Sequence, residues 1–304
     1  MRRVAYISDT LYLEHDTGFG HPESSARLKA IERAITPIKD NLIFKSPISV
    51  SKDILSLVHS QEQIDRVYYA SKSSEPIDMD TICSEESYRV ATLAVGAGVV
   101  AIDGIREGEF DRAFCAVRPP GHHATPTDSM GFCLFNNIAI TARYAQSKGY
   151  QRVMIVDFDV HHGNGTQDTF WEDSSVFYFS SHQALAYPHT GAEGDIGVGD
   201  GEGYTSNHLM MPNSSDSELL EIYYEELPKA FEFFNPDILL VSAGYDLHQS
   251  DPLASLDVTT DGIRQMVRTI LDQADIPTIL FLEGGYSVED LGVNVRVTLE
   301  EMLE

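Results

Sequence analysis

The chain has 304 residues, 42% hydrophobic and 22% charged, which is enough apolar material for a large core and the wrong balance for disorder, collagen or a coiled coil. Its formal net charge of −26 repels a nucleic acid backbone, so no nucleic acid partner is expected. No uninterrupted apolar run approaches the roughly 20 residues of a membrane span, so no membrane partner is expected either.

In chain order, an apolar run at Val4–Ile7 predicts the first strand. No long apolar stretch follows Arg2-Arg3, so no leader is expected. The Gly-rich segment Glu14–Glu23, with His15 and His21, reads as a loop at a pocket rim. Helical period covers Ser24–Ile35, and a second strand is expected at Leu42–Phe44. His59 has no motif around it and reads as structural. A long helical pattern spans Glu85–Arg106, followed by an apolar strand at Ala113–Val117 and a helix over Asn136–Lys148. Strands follow at Val153–Val156, Val176–Phe179 and His208–Met211. The acidic, Gly-rich stretch Gly191–Gly203 between the last two reads as a loop. One helix is expected over Ser217–Phe234, with Ser217 near its start, then a strand at Ile238–Val241. A helix over Thr260–Gln273 and a strand at Thr278–Leu282 complete the series. Cys83, Cys115 and Cys133 are odd in number without metal-site spacing and read as reduced thiols of a cytoplasmic protein.

Eight strands alternating with helices predict an α/β fold, a mostly parallel eight-stranded sheet with helices on both faces. Even composition and the lack of a linker predict one domain over 1–304. In such sheets ligands bind beyond the carboxyl ends of the strands, and here polar clusters follow five of them. They are Arg118–His123, Asp157–Gly165, Ser180–His182, Ser242–Asp246 and Glu283–Tyr286.

Asp159 and His161 are two apart, so in an extended segment their side chains point one way and can share a divalent metal. Asp246, ending another strand, could be the third ligand, and three N/O ligands with an open position describe a catalytic site. Asp159 alone would read as a turn residue. His122 and His123 follow a Pro-Pro-Gly turn; one is a natural general base, or both are further ligands. Asp157 could orient one of these imidazoles. Tyr286, after Gly284-Gly285, could donate to a developing oxyanion, although alone it would read as a turn aromatic.

Together these segments resemble the histone deacetylase family, within the arginase–deacetylase fold. The resemblance rests on His15–Gly18 with His21–Glu23 and Arg27-Leu28, then Arg118–Ala124 and Met130–Asn137. It continues through Asp157–Gln167, Ser242–Asp246, Asp251–Leu253 and Glu283–Tyr286, in order over nearly the whole chain. The wording is closest to the class II and bacterial acetylpolyamine-amidohydrolase-like branch.

The resemblance implies zinc held by Asp159, His161 and Asp246, with ferrous iron as the other metal such a donor set accepts. It implies His123 as general base and then acid, paired with Asn164, and His122 as its electrostatic partner, paired with Asp157. Tyr286 would polarise the amide carbonyl. Gly131, Phe132, Tyr187 and Leu253 would line a narrow tunnel, with Tyr187 where family members usually carry Phe. A monovalent cation, K+ or Na+, is implied near Asp157, Asp159, His161, Ser180 and Ser181, and more weakly a second near Phe170 and Val176. Arginase relatives use two metals and another Asp spacing, whereas Asn164 here argues for one.

The expected substrate is an acylated lysine of a protein or peptide, or alternatively a small acetylated polyamine. Leu253 favours the first, through an apolar rim. The charge of −26, with Asp78 and Asp80 as rim candidates, favours the second. An inactive binder of acylated ligands is a third reading, opposed by the full set of reactive residues. The oligomeric state is open.

Overall fold

The structure, a computed structural model, describes residues 2–304. Its elements in order are β1 (Val4–Ile7), α1 (Ala26–Ala34), β2 (Leu42–Lys45), α2 (Lys52–Leu55), α3 (Gln61–Ser73), α4 (Ser87–Arg106) and β3 (Arg112–Cys115). Next come α5 (Asn137–Ser147), β4 (Val153–Asp157), α6 (Asn164–Phe170), β5 (Val176–Gln183), β6 (Thr205–Met210), α7 (Asp216–Glu225) and α8 (Leu227–Phe234). β7 (Ile238–Ala243), α9 (Thr260–Asp272), β8 (Thr278–Leu282) and α10 (Val288–Leu303) complete the fold.

The eight expected strands form one sheet in the order β2-β1-β3-β8-β7-β4-β5-β6. Every pairing is parallel, as the expected parallel sheet requires. Residues of β1, β3, β4, β7 and β8 are buried throughout, as strands covered on both faces must be. The helices pack as two sets, α1, α10, α9, α7 and α8 in one and α2, α3, α4, α5 and α6 in the other. The alternation of apolar strand and amphipathic helix produces this because each parallel crossover must carry its helix onto a sheet face.

Several boundaries move. Ser180, Ser181 and His182 lie within β5, since β5 keeps pairing with Asn207, His208 and Leu209 of β6 beyond its apolar half. β6 accordingly begins at Thr205. The helix expected over Ser217–Phe234 is two helices, because Pro228 lacks the N–H and its ring crowds the carbonyl one turn back. Ser215, not Ser217, caps α7, in a reciprocal pair with Glu218. Helices α2, α3, α6 and α10 were not among those expected. Finally, α4 has 20 residues and, by length and composition, is apolar enough to cross a membrane. Counting only uninterrupted runs missed it. Most of its residues are buried, as in a core helix.

The strand order brings the ends of β3, β8, β7 and β4 side by side at the centre of the sheet. The four segments that follow them carry Arg118–His123, Glu283–Tyr286, Gly244–Asp246 and Phe158–His161.

Candidate active site

Those segments meet at a cavity of about 220 Å³. His122, His123, Asp159, His161 and Tyr286 line it, and so do Gly131, Phe132, Tyr187, Leu253 and Asp80. Asp157, Asn164 and Asp246 stand behind this lining. The residues read as one site from four distant stretches of sequence are therefore brought together.

Asp159, His161 and Asp246 each offer a ligand atom within 4.8 Å of the others. His161 Nδ1 lies 3.2 Å from Asp159 Oδ1 and 3.1 Å from Asp246 Oδ2. One N–H can serve only one of these carboxylates well, whereas a cation between the three donors would satisfy all of them. The two carboxylates are essentially unexposed, and no Lys or Arg among the described residues lines the cavity. Burial and the neighbouring Asp159 charge push Asp246 up to about 7, while His122 and His161 hold Asp159 below the usual carboxylate range against its burial. A buried anionic set of this kind fits a divalent ion.

The turn after β8 packs onto these ligands. Gly284 N–H donates to Asp159 Oδ2 at 2.7 Å. A Cβ at Gly284 would stand 2.2 Å from Asp246 Oδ2, so only glycine lets the chain approach this closely.

The two adjacent histidines are driven in opposite directions. His122 Nδ1 meets Asp157 Oδ2 at 3.1 Å. Burial lowers its pKa, but Asp159 and Asp157 more than reverse this and raise it to about 10. His123 Nδ1 meets Asn164 Oδ1 at 2.8 Å. Amide oxygens only accept, so Nδ1 carries the proton and Nε2 is left bare. Burial, then the charges of His122 and His161, push His123 well below the usual range. Burial pushes the Tyr286 phenol well above 10, so it stays a proton donor.

The rim residues divide. Asp80 reaches the cavity, while the Asp78 carboxylate turns back to accept from the N–H groups of Asp80 and Thr81. Of the residues named for a monovalent cation, Asp157 and Ser180 are in register on β4 and β5. The Ser180 hydroxyl pairs with His182 Nδ1 at 2.9 Å. The Ser181 hydroxyl lies across from Tyr223 of α7 at 2.9 Å, as alternation along a strand requires. Phe170 and Val176, named for a second cation, are both buried.

Three supporting groups escaped the sequence reading. Glu283, fully buried, accepts from the N–H groups of Gly121 and His122 at 2.7 and 3.2 Å and so holds the His-His loop. Asp251 accepts from the N–H groups of Tyr286 and Ser287 at 2.6 and 3.1 Å and fixes the tyrosine turn. Glu23 pairs with Arg118 and Arg27, all three with no exposure, and Arg27 donates to the carbonyls of Glu283 and Gly285. Glu23 and Arg27, four apart at a helix start, were the available signal.

A family model for the histone deacetylase domain matches residues 21–302. A rice protein (Oryza sativa subsp. japonica), histone deacetylase 10, chloroplastic, is 37% identical over 93% of this chain and 70% of its own length. A probable deacetylase of Archaeoglobus fulgidus is 35% identical over 91% of this chain and 80% of its own. The crystal structure of the HDA15 HD domain superposes with a TM-score of 0.95 at 34% identity, covering 99% of this chain and 88% of that one.

Proposed function

The chain belongs to the histone deacetylase family, and from that premise we propose that it hydrolyses the acetyl amide of lysine side chains in proteins or peptides. The observation that carries this reading is the meeting of Asp159, His161 and Asp246 with a bare His123 Nε2 and a protonated Tyr286 in one cavity. Asp159, His161 and Asp246 would hold zinc, which when bound polarises the amide carbonyl and acidifies the attacking water.

The chain's own groups do the rest. His123 Nε2 takes the proton of the attacking water and returns it to the leaving amine. Asn164 holds the His123 ring and, being neutral, leaves its pKa low enough for the base role. His122, held by Asp157, places a positive charge beside the reacting centre. The Tyr286 hydroxyl donates to the carbonyl oxygen as negative charge develops there. Phe132 and Tyr187 would confine the acyl-lysine stem and exclude water, and Leu253 supplies an apolar edge at the mouth. A monovalent cation near Asp157 and Ser180 would be structural.

Asp80 at the cavity favours a second reading, hydrolysis of small acetylated polyamines. The deciding experiment measures amine release by zinc-loaded protein from an acetyl-lysine peptide, N-acetylputrescine and N-acetylspermidine. Turnover of the peptide, with little of the polyamines, is expected. Turnover of the polyamines alone would replace the first reading by the second.

A further inference from the structure

The loops around the cavity mouth carry apolar side chains held out into solvent. Phe19 has 111% relative exposure, Met79 99%, Leu185 85% and Leu253 42%. Exposed apolar residues are ordinary when scattered, but here each belongs to a loop tied to the mouth. Leu253 lines the cavity itself. Met79 precedes Asp80, which also lines it. Leu185 is two residues before the tunnel wall Tyr187, and Phe19 is two before His21, whose ring packs edge-on against Phe132 with 4.8 Å between centroids.

These loops are pinned in two groups, those of Phe19 and Met79 with the Phe132 turn, and that of Leu185 with that of Leu253. His21 Nε2 donates to the Asp80 carbonyl at 3.1 Å. The N–H of Phe132 donates to the Thr81 hydroxyl at 3.3 Å, and the N–H of Ser255 to Gln183 Oε1 at 2.7 Å. The apolar tips are thus presented on a fixed frame, which lowers the ordering cost of binding. Leu185 adds a separate observation. Its φ of 63° lies in the left-handed region, where a bulky residue is strained. Neither burial nor backbone preference selects leucine there, and strain of this kind concentrates at binding sites. Carboxylates stand beside two of the tips, Asp16 in the Phe19 loop and Asp78 and Asp80 on either side of Met79.

We propose that Phe19, Met79, Leu185 and Leu253 form a collar that selects acetyl-lysine within a polypeptide segment whose flanking residues are apolar and basic. This rests on the deacetylase reading above and deepens it. A free polyamine has no side chains to fill the apolar tips, whereas residues on either side of a lysine reach them while its stem occupies the tunnel. Flanking Arg or Lys complement the carboxylates beside Phe19 and Met79.

The test compares kcat/KM for three acetyl-lysine substrates on the zinc-loaded full chain. One peptide has Leu, Phe and Arg flanks, one has Gly, Ser and Glu flanks, and the third substrate is acetyl-lysine capped at both ends. Each is assayed with the unaltered protein and with the triple variant Phe19→Ser, Met79→Ser, Leu185→Gly, in which glycine also relieves the backbone at 185. The unaltered protein is expected to prefer the apolar, basic peptide about tenfold over the Gly/Ser/Glu peptide, mostly through KM. In the variant this preference falls below twofold while turnover of capped acetyl-lysine is unchanged. Equal use of the two peptides by the unaltered protein, or a preference that survives in the variant, overturns the collar and leaves the deacetylase reading standing. Failure to turn over capped acetyl-lysine and both peptides overturns the deacetylase reading itself.

Discussion

His123 and Asn164 are joined by a 2.8 Å hydrogen bond in which the imidazole Nδ1–H donates to a neutral amide oxygen. Thirty-five residues apart in sequence, His122 and Asp157 form the charged counterpart at 3.1 Å. The two side-by-side imidazoles thus have different partners: burial, with the charges of His122 and His161, keeps His123 neutral, while Asp159 and then Asp157 overcome burial and keep His122 cationic.

That relationship predicts the behaviour of Asn164→Asp. A carboxylate at 164 stabilises the imidazolium of His123 and raises its pKa. The base-competent neutral form then begins to appear only at higher pH. The acid limb of the kcat/KM profile should move up by about one pH unit, with about tenfold lower activity on that limb. An unmoved acid limb would remove His123 from the base role.

Tyr286→Phe deletes one hydroxyl and keeps the ring that packs against Phe132 and beneath which Arg27 sits, 5.2 Å from the ring centroid. A donor used only as the oxyanion forms contributes about 100- to 1000-fold to kcat. The variant should lose that much in kcat with KM changed less than about threefold, read by steady-state amine release. A loss confined to KM would make Tyr286 a binding residue.

Glu23, Arg27 and Arg118 support the site from within the protein. Burial would raise the Glu23 carboxyl, but the Arg118 guanidinium overrides it and holds the group at about 2. The folded pKa lies below the unfolded one, so this stabilisation is complete above about pH 4.5 and is lost as pH falls towards 2. Glu23→Gln leaves two buried guanidinium groups without a carboxylate and should cost about 3–5 kcal/mol in urea unfolding at neutral pH. It should also weaken the acid dependence between pH 4.5 and 2. A neutral effect on stability would show that water reaches the cluster.

His59 makes a different pH prediction. Its Nδ1 donates to the Thr125 carbonyl at 2.9 Å and its Nε2 accepts from Asn136 N–H at 2.9 Å, so both nitrogens are used by the neutral ring. Burial lowers its pKa to about 4. Between about pH 4 and 6.5 the unfolded chain binds a proton that the folded protein refuses. The stability contribution is therefore full above 6.5 and falls as pH drops towards 4, by about 3 kcal/mol at most. In His59→Gln, urea midpoints measured across this range should show a shallower slope than in the unaltered protein.

Much of this is legible in the amino-acid sequence. The inner strands could be read because parallel strands buried on both faces are apolar runs, and the candidate site could be read because it lies where those runs end. The extension of β5 was not legible. Ser180-Ser181-His182 is polar, and only its pairing with β6 makes it strand. Glu283, Asp251 and the Glu23 cluster were hidden for a related reason. Glu283 and Asp251 bind backbone N–H groups of distant loops, which sequence spacing does not signal, and the Glu23–Arg27 spacing signals one pair of its cluster but neither Arg118 nor the carbonyls that Arg27 reaches. The exposed tips at Phe19, Met79 and Leu185 were hidden too, since apolarity in a loop does not say whether a side chain is buried.

The metal reading predicts a response of stability as well as activity. Asp246 is fully buried, and burial together with the Asp159 charge pushes its carboxyl up to about 7. Without a cation, ionising both carboxylates at neutral pH is unfavourable, and the protein carries that repulsion. A ligand that binds only the folded state adds about 4 kcal/mol at a concentration 1000 times its Kd. Treatment with a chelator should therefore lower Tm by several degrees and abolish turnover, and zinc should restore both. In Asp246→Asn the repulsion is relieved and a ligand is lost. Its metal-free form should melt at or above the metal-free unaltered protein, and zinc should no longer raise its Tm. Calorimetry of the two proteins with and without zinc checks all four values. A variant that still gains stability from zinc would show that Asp246 is not one of the ligands.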